Sequence, residues 1–111
     1  MRQKLTYNRK NFSIVEGTTH KIRFICDHES DLDLSKCKVM FVLLDGDRQV
    51  RKKTTLEGDV VIADIDATDS LGKTTIPYEC RAFGNVGEVY HVAFGDINVI
   101  KANAPIVEYS D

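Results

Sequence analysis

The chain has 111 residues, 42% of them hydrophobic and 29% charged, with a formal net charge of -2 at pH 7. That length holds one apolar core and no second one, and the charge gives neither nucleic acid nor an acidic membrane a strong electrostatic reason to bind. No stretch approaches the roughly 20 apolar residues that cross a bilayer, and no apolar run of signal-peptide length follows the basic start MRQKLTYNRKNF, so the expectation is a protein made and folded in a cytosol.

Apolar residues recur at a period of two far more often than at three or four, which predicts strands almost throughout. Residues 4–7 and 12–15 read as two short opening strands with the polar 8–11 between them, and Glu16-Gly17 as a turn. In GTTHKIRFIC, residues 17–26, Ile22, Phe24 and Cys26 alternate with Lys21 and Arg23. A strand over 19–26 therefore sends the first three inward and leaves the charges in water. Residues 27–35, DHESDLDLS, form a polar loop anchored by Leu32 and Leu34.

The run CKVMFVLL, residues 37–44, is the most apolar in the chain. Its alternating sets, Cys37/Val39/Phe41/Leu43 and Met40/Val42/Leu44, predict a central strand apolar on both faces, covered by its own fold or partly by a partner. Asp45-Gly46-Asp47 supplies hairpin chemistry. RQVRKKTT, residues 48–55, is then a returning edge strand whose cations discourage unwanted pairing. Leu56-Glu57-Gly58-Asp59 is a turn, residues 60–65 a strand, and residues 66–73, DATDSLGK, a break with a short 3₁₀ turn before Gly72.

Residues 74–83 put Ile76, Tyr78, Cys80 and Ala82 on one face and Glu79 and Arg81 on the other, with Pro77 confined to the strand's start or to an edge. Gly84-Asn85-Val86-Gly87 turns the chain into a long last strand, 88–100, bent or bulged at Gly95-Asp96. The proline-bearing tail that follows reads as an extended arm. The predicted fold is therefore all-β: an antiparallel β-sandwich of seven or eight strands over residues 1–100, with residues 101–111 as the arm. A closed barrel is the alternative. Ile22, Phe24, Cys26, Val39, Phe41, Ile76, Tyr78 and Cys80 are the expected core. Lys101, Pro105, Ile106, Val107 and Tyr109 are the candidate interaction arm.

Site chemistry is sparse. His20, His28 and His91 have no ligand-pair spacing, and Cys26 beside His28 is a neighbour in sequence, not a catalytic dyad. Asp27, Glu29, Asp31 and Asp33 alternate as a calcium loop does, but Leu32 and Lys38 stand where that pattern needs Gly and Glu. Asp64, Asp66 and Asp69 form a second carboxylate group with the same deficit. Arg48, Arg51, Lys52 and Lys53 cluster without the aromatic platform that single-strand binding uses. Gly84-x-x-Gly87 opens no helix and so makes a hairpin, not a phosphate site. No catalytic, cofactor-binding or metal-binding residue is assigned. Cys26, Cys37 and Cys80 are odd in number, and a cytosol would keep them reduced as small buried apolar groups.

The order of signals resembles the immunoglobulin-like domain of tailed-phage virion proteins, notably the N-terminal domain of baseplate upper proteins. Gly17-Thr18-Thr19 opens a strand, Asp33-Leu34 closes a polar loop, and Val39-Met40-Phe41-Val42-Leu43 follows as the strong apolar strand. Leu71-Gly72 then precedes Tyr78-Glu79-Cys80-Arg81, and Phe94-Gly95-Asp96-Ile97-Asn98-Val99 ends the likeness, which spans residues 12–100. Tyr78-Glu79-Cys80 also has the Tyr-x-Cys form of the immunoglobulin tyrosine corner, so that comparison allows a Cys26–Cys80 bridge, although no tryptophan is present to pack against it. The resemblance implies a non-enzymatic structural module of a virion, in a baseplate, tail or other accessory part, without cofactor. Its partners would be other virion proteins and further copies of itself, met through exposed strand edges and the arm. A ligand-binding or adhesion domain using the loops at 27–35 and 66–73, with calcium, is the alternative.

Overall fold

In a computed structural model that describes residues 9–25 and 34–104, the alternating segments form eight strands in two sheets. They are β1 (Phe12–Val15), β2 (His20–Ile25), β3 (Lys38–Asp45), β4 (Arg48–Lys52), β5 (Thr54–Glu57), β6 (Val60–Ile65), β7 (Thr75–Phe83) and β8 (Val89–Ile100). Short 3₁₀ turns lie at Leu34–Lys36 and Ala67–Ser70. One sheet has the order β1-β8-β7-β3-β4 and the other β2-β6-β5. This is an immunoglobulin-like sandwich, in which the β1–β2, β2–β3, β4–β5 and β6–β7 connections cross between layers.

Both inner faces meet at three rings. Phe24 of the smaller sheet lies 5.9 Å from Phe41 and 5.7 Å from Tyr78, which are themselves 5.6 Å apart across β3 and β7. Phe12 adds a fourth ring 5.4 Å from Tyr78. Such pairs contribute about 0.5–1.5 kcal/mol each beyond the area they bury. Phe24, Phe41, Ile76, Tyr78 and Cys80 are buried as expected, and Ile22 and Val39 are half-buried against them. Leu34 anchors its loop from a buried position. The strand expected at 4–7, Leu32 and Cys26 lie outside the described residues, and with Cys26 the question of its bridge to Cys80.

Four features depart from the sequence reading. First, the sandwich is not wholly antiparallel: β1 runs parallel to β8, from Phe12 beside Ile97 to Val15 beside Ile100. Second, residues 48–55 are not one edge strand. Lys52 still pairs with Phe41 in the larger sheet, but Thr54 pairs with Ala63 in the smaller one, so the ribbon changes layer at Lys53 and continues in the same direction. Its sparse apolar anchors explain this: Val50 faces the core from one sheet and Leu56 pairs beside Val61 in the other, so no continuous apolar face ties the ribbon to either.

Third, the turn expected at 56–59 shrinks to Gly58-Asp59, because Leu56 and Glu57 pair with Val61 and Val60; Gly58, at φ +60°, takes the left-handed position. Fourth, the bulge lies at Val92, not at Gly95-Asp96. Cys80 faces Ala93 and Arg81 faces His91, so Val92 is the extra residue, and it and Ala93 both turn inward. The phase of burial flips there, from Tyr90 and Val92 to Ala93, Ile97 and Val99. Pro77 stands near the start of β7, one residue before pairing with β3 begins at Tyr78, so its missing N–H breaks no bond of that ladder.

Candidate functional site

Strand directions give the sandwich two ends. β2, β4, β5 and β7 finish at the upper end, and β1, β3, β6 and β8 at the lower. At the lower end, the residue after β1 is a glutamate whose backbone N–H donates to the Ile100 carbonyl (2.8 Å). The Oε2 of Glu16 accepts the Gly72 N–H at 2.8 Å and the Lys101 ammonium at 3.3 Å. The Gly72 N–H above all, then Lys101, holds the Glu16 carboxyl below its usual pKa against the opposing effect of burial. Ser70, fully buried, accepts the N–H of Gly17 at 2.8 Å. Lys101 also donates to the Lys73 carbonyl (2.7 Å), and Lys73 pairs with Asp45 at 2.6 Å, which lowers the Asp45 pKa.

The carboxylates of the second candidate calcium group are spent on lysines. Asp64 pairs with Lys21 at 2.9 Å, while Asp66 and Asp69 hold Lys52 at 3.0 and 2.8 Å. Burial pushes the Lys52 ammonium down, but the hydrogen bonds of Asp69 and Asp66 outweigh it, and its pKa is raised. Asp69 Oδ2 also accepts the Asp66 N–H (2.8 Å), which closes the 3₁₀ turn. Among the described residues, no three His, Cys, Asp or Glu side chains gather as metal ligands. The loop from Asp27 to Asp33, including His28, lies outside the described residues. His20 and His91 sit on strands of different sheets. No helix among the described residues is long and apolar enough to cross a membrane.

Above this end, the start of the chain is strapped across β8. Tyr78 donates to the carbonyl of Lys10 (2.5 Å), 68 residues away in sequence, and Asn11 Oδ1 accepts the Asp96 N–H at 2.9 Å. The described bond is thus not the local one of an immunoglobulin tyrosine corner, because the hydroxyl reaches the strapping segment instead of its own upstream loop. Burial first, then the Cys80 thiol, pushes the Tyr78 phenol up to about 12. Gly95 is glycine for space: a Cβ there would lie 2.5 Å from the Lys10 carbonyl oxygen and 2.6 Å from Asn11 Oδ1. Lys101, expected in the interaction arm, donates within the lower clasp, to Glu16 and the Lys73 carbonyl. Pro105, Ile106, Val107 and Tyr109 lie outside the described residues.

The upper end has a different character. Ile25, Val86 and Val89 are 70, 81 and 56% exposed, and Leu56 is 37% exposed. Ile25 ends β2, Leu56 lies near the end of β5, and Val86 and Val89 belong to the hairpin joining β7 to β8. The outer faces of the sheets also differ. On the smaller sheet, Lys21–Asp64 and Arg23–Glu57 (3.4 Å) pair beside Ile62. On the larger one, Met40, Val42 and Leu44 floor a groove of about 280 Å³ edged by Gln49, Glu79 and Arg81. Nearby, His91 stacks on Phe94 at 5.0 Å, and the Arg9 guanidinium lies 4.7 Å from the same ring. Sequence reasoning flagged Met40, Val42 and Leu44 through the doubly apolar run, but had no signal for Ser70 or Glu16, whose partners are more than 50 residues away.

No family model matches the sequence, and no curated protein matches it. Among solved structures, the chain is similar to the 2,6-sialyltransferase of Vibrionaceae Photobacterium sp. JT-ISH-224, at 15% identity and a TM-score of 0.44. The match covers 90% of this chain but 19% of that one, and at that TM-score the likeness carries no argument about fold or activity.

Proposed function

We propose that this chain is a non-enzymatic assembly module that works through protein–protein contacts, as a baseplate, tail or other accessory component of a tailed-phage virion. The observation that carries the contact reading is the set of large apolar side chains left in water, Ile25, Leu56, Val86 and Val89 at the upper end and Val15 and Ile100 at the lower end beside its buried polar bonds. Exposed apolar groups, four of these six at the upper end, are the kind of surface that a partner covers. The virion assignment rests on the family resemblance of residues 12–100, and symmetric repetition is the usual habit of such assemblies. The tail from residue 105 is a second contact element in this reading, gripping a neighbour by strand addition or wrapping.

Quantitative mass spectrometry of purified particles tests it. The chain should be present at a copy number matching a ring or shell symmetry; its absence from particles while abundant in the lysate ends the virion reading. Deleting residues 105–111 should leave the melting temperature unchanged and weaken incorporation. Unchanged incorporation removes the tail from the proposal.

A further inference from the structure

Among the described residues, β1 and β4 are the edges of the larger sheet, and β2 and β5 those of the smaller. An unpaired edge is a template on which another strand can pair. β2 and β5 spend their charges within the chain, Lys21 on Asp64 and Arg23 on Glu57, and β1 carries no charge. β4 differs. Arg48, Gln49 and Arg51 are exposed. Arg51 has no ion pair among the described residues: across Val42 from it, Glu79 is held by Arg81 at 2.8 Å. Arg48 stands beside Asp45, whose carboxylate Lys73 already holds at 2.6 Å. Two-residue hairpin loops close on a hydrogen-bonded pair, here Asp45 with Arg48 around Gly46-Asp47, and such pairs then recur at every second position, Leu43 with Val50 and Phe41 with Lys52. Gln49 and Arg51 therefore turn both their N–H and C=O groups to the open side.

A strand complementary to this edge needs carboxylates three residues apart, to meet Arg48 and Arg51, and between them an apolar residue opposite Val50, which is half-buried against the core. In residues 1–8, MRQKLTYN, the charges are cations, and in residues 26–33, CDHESDLD, the acids fall only at even spacings. Residues 107–111, VEYSD, fit. Laid antiparallel to β4, they put Glu108 opposite Arg51, Tyr109 opposite Val50, Ser110 opposite Gln49 and Asp111 opposite Arg48, with Val107 beside the stem of Lys52. We propose that residues 107–111 of one copy add as an antiparallel strand to the β4 edge of another, through four backbone hydrogen bonds with Gln49 and Arg51 and the side-chain pairs Glu108–Arg51 and Asp111–Arg48.

The donor is a second copy because the chain's own tail cannot reach. Lys52 is level with Phe41, Cys80 and Ala93 across the sheet, and from Ala93 down β8 to Ile100 is about 23 Å. A strand beyond β4 lies four spacings from β8, about 19 Å. Val107 beside Lys52 would thus stand about 30 Å from Ile100, whereas the chain from Ile100 to Val107 spans at most about 25 Å. It also bends at Asn103 and Ala104. Donor and acceptor are different surfaces, so the contact is heterologous and closes as a reciprocal pair or around a ring. Five residues a side bury well under the roughly 800 Å² per partner of a standard interface, so a single contact is weak, with a Kd on the order of 100 μM. The inference rests on the reading of the tail as a contact element and names its acceptor; it does not need the virion.

Sedimentation equilibrium of the full chain, from roughly 10 μM to roughly 1 mM so as to bracket that Kd, tests it. The expected result is self-association that weakens as salt is raised, because the charge pairs are exposed. Arg51→Glu and Glu108→Lys should each weaken it about tenfold or more, and the two together should recover it to within about threefold of the native chain. Gln49→Pro removes an outward N–H without touching the bonds to β3, and should also weaken association about tenfold. Circular dichroism and melting of each variant check the fold; where Gln49→Pro melts early, the charge swap decides alone. Association lost on deleting residues 105–111 but indifferent to Arg51→Glu and Gln49→Pro keeps the tail as a contact and overturns β4 as its acceptor. Association unchanged by that deletion overturns both readings, and a monomer at every concentration overturns the exchange.

Discussion

The two ends of this sandwich are built from the same alternating strands, yet they spend their side chains differently. The lower end closes on itself: Ser70 accepts the Gly17 N–H, Glu16 accepts the Gly72 N–H and the Lys101 ammonium, and Lys73 holds Asp45. The upper end leaves Ile25, Leu56, Val86 and Val89 to solvent, against Val15 and Ile100 at the lower. Buried polar groups specify one arrangement because any misplacement leaves a donor or acceptor unsatisfied. Exposed apolar groups specify nothing until a second surface arrives. In the proposed reading, the lower end helps to fix one arrangement and the upper end is the surface offered for recognition.

The sharpest way to break the tied half is Gly95→Ala, whose methyl would collide with the Lys10 carbonyl and lift the strap off β8. A loss of about 2–3 kcal/mol is expected in urea unfolding, the range of an overpacked site. Ser70→Ala follows at about 1–3 kcal/mol, because it strands the Gly17 N–H in a buried site without an acceptor. Tyr78→Phe removes the bond to Lys10 and should cost about 1 kcal/mol. In the native chain, absorbance titration should find a phenol ionising near pH 12, and that step should vanish in this variant.

Acid should loosen the same end. Glu16 and Asp45 have folded pKa values below their ordinary 4.5 and 3.8, so their contribution is present above those values and disappears as pH falls through the lower folded ones. Thermal melts from pH 6 downward should show the decline, and Glu16→Gln should flatten it. The smallest effect on stability belongs to the open end: Ile25→Ser, Val86→Ser and Val89→Ser should each stay within about 0.5 kcal/mol of the native chain. If they instead destabilise it as much as Ser70→Ala does, the contrast between the ends collapses. Retention on immobilised particles or on a partner protein should fall for these three and not for Ser70→Ala.

Much of the architecture was legible because strand periodicity is local. The alternation Ile22/Phe24 against Lys21/Arg23 gave β2 its inward face, and Ile76, Tyr78, Cys80 and Ala82 gave β7 its own. Gly46, at φ +62°, sits where the hairpin between β3 and β4 was expected. The layer change at Lys53 was not legible, since RQVRKKTT carries a single apolar residue and pairs equally well in one sheet or two. The bulge was misplaced because Gly95 draws attention as a breaker, whereas its role is clearance for Lys10. The true signal, the shift of apolar phase from Val92 to Ala93, was present in the sequence.

By itself, then, the sequence determined that this chain is all-β and which side of each main strand is greasy, because a residue's face in a strand depends only on its neighbours two positions away. Tertiary structure alone decided the parallel docking of β1 on β8, the clasp of Glu16 and Ser70, and the placement of Arg51 and Glu79 on opposite flanks of Val42. Those outcomes depend on which distant backbone groups and strands meet, and a pattern with a period of two contains no information about meeting partners tens of residues apart.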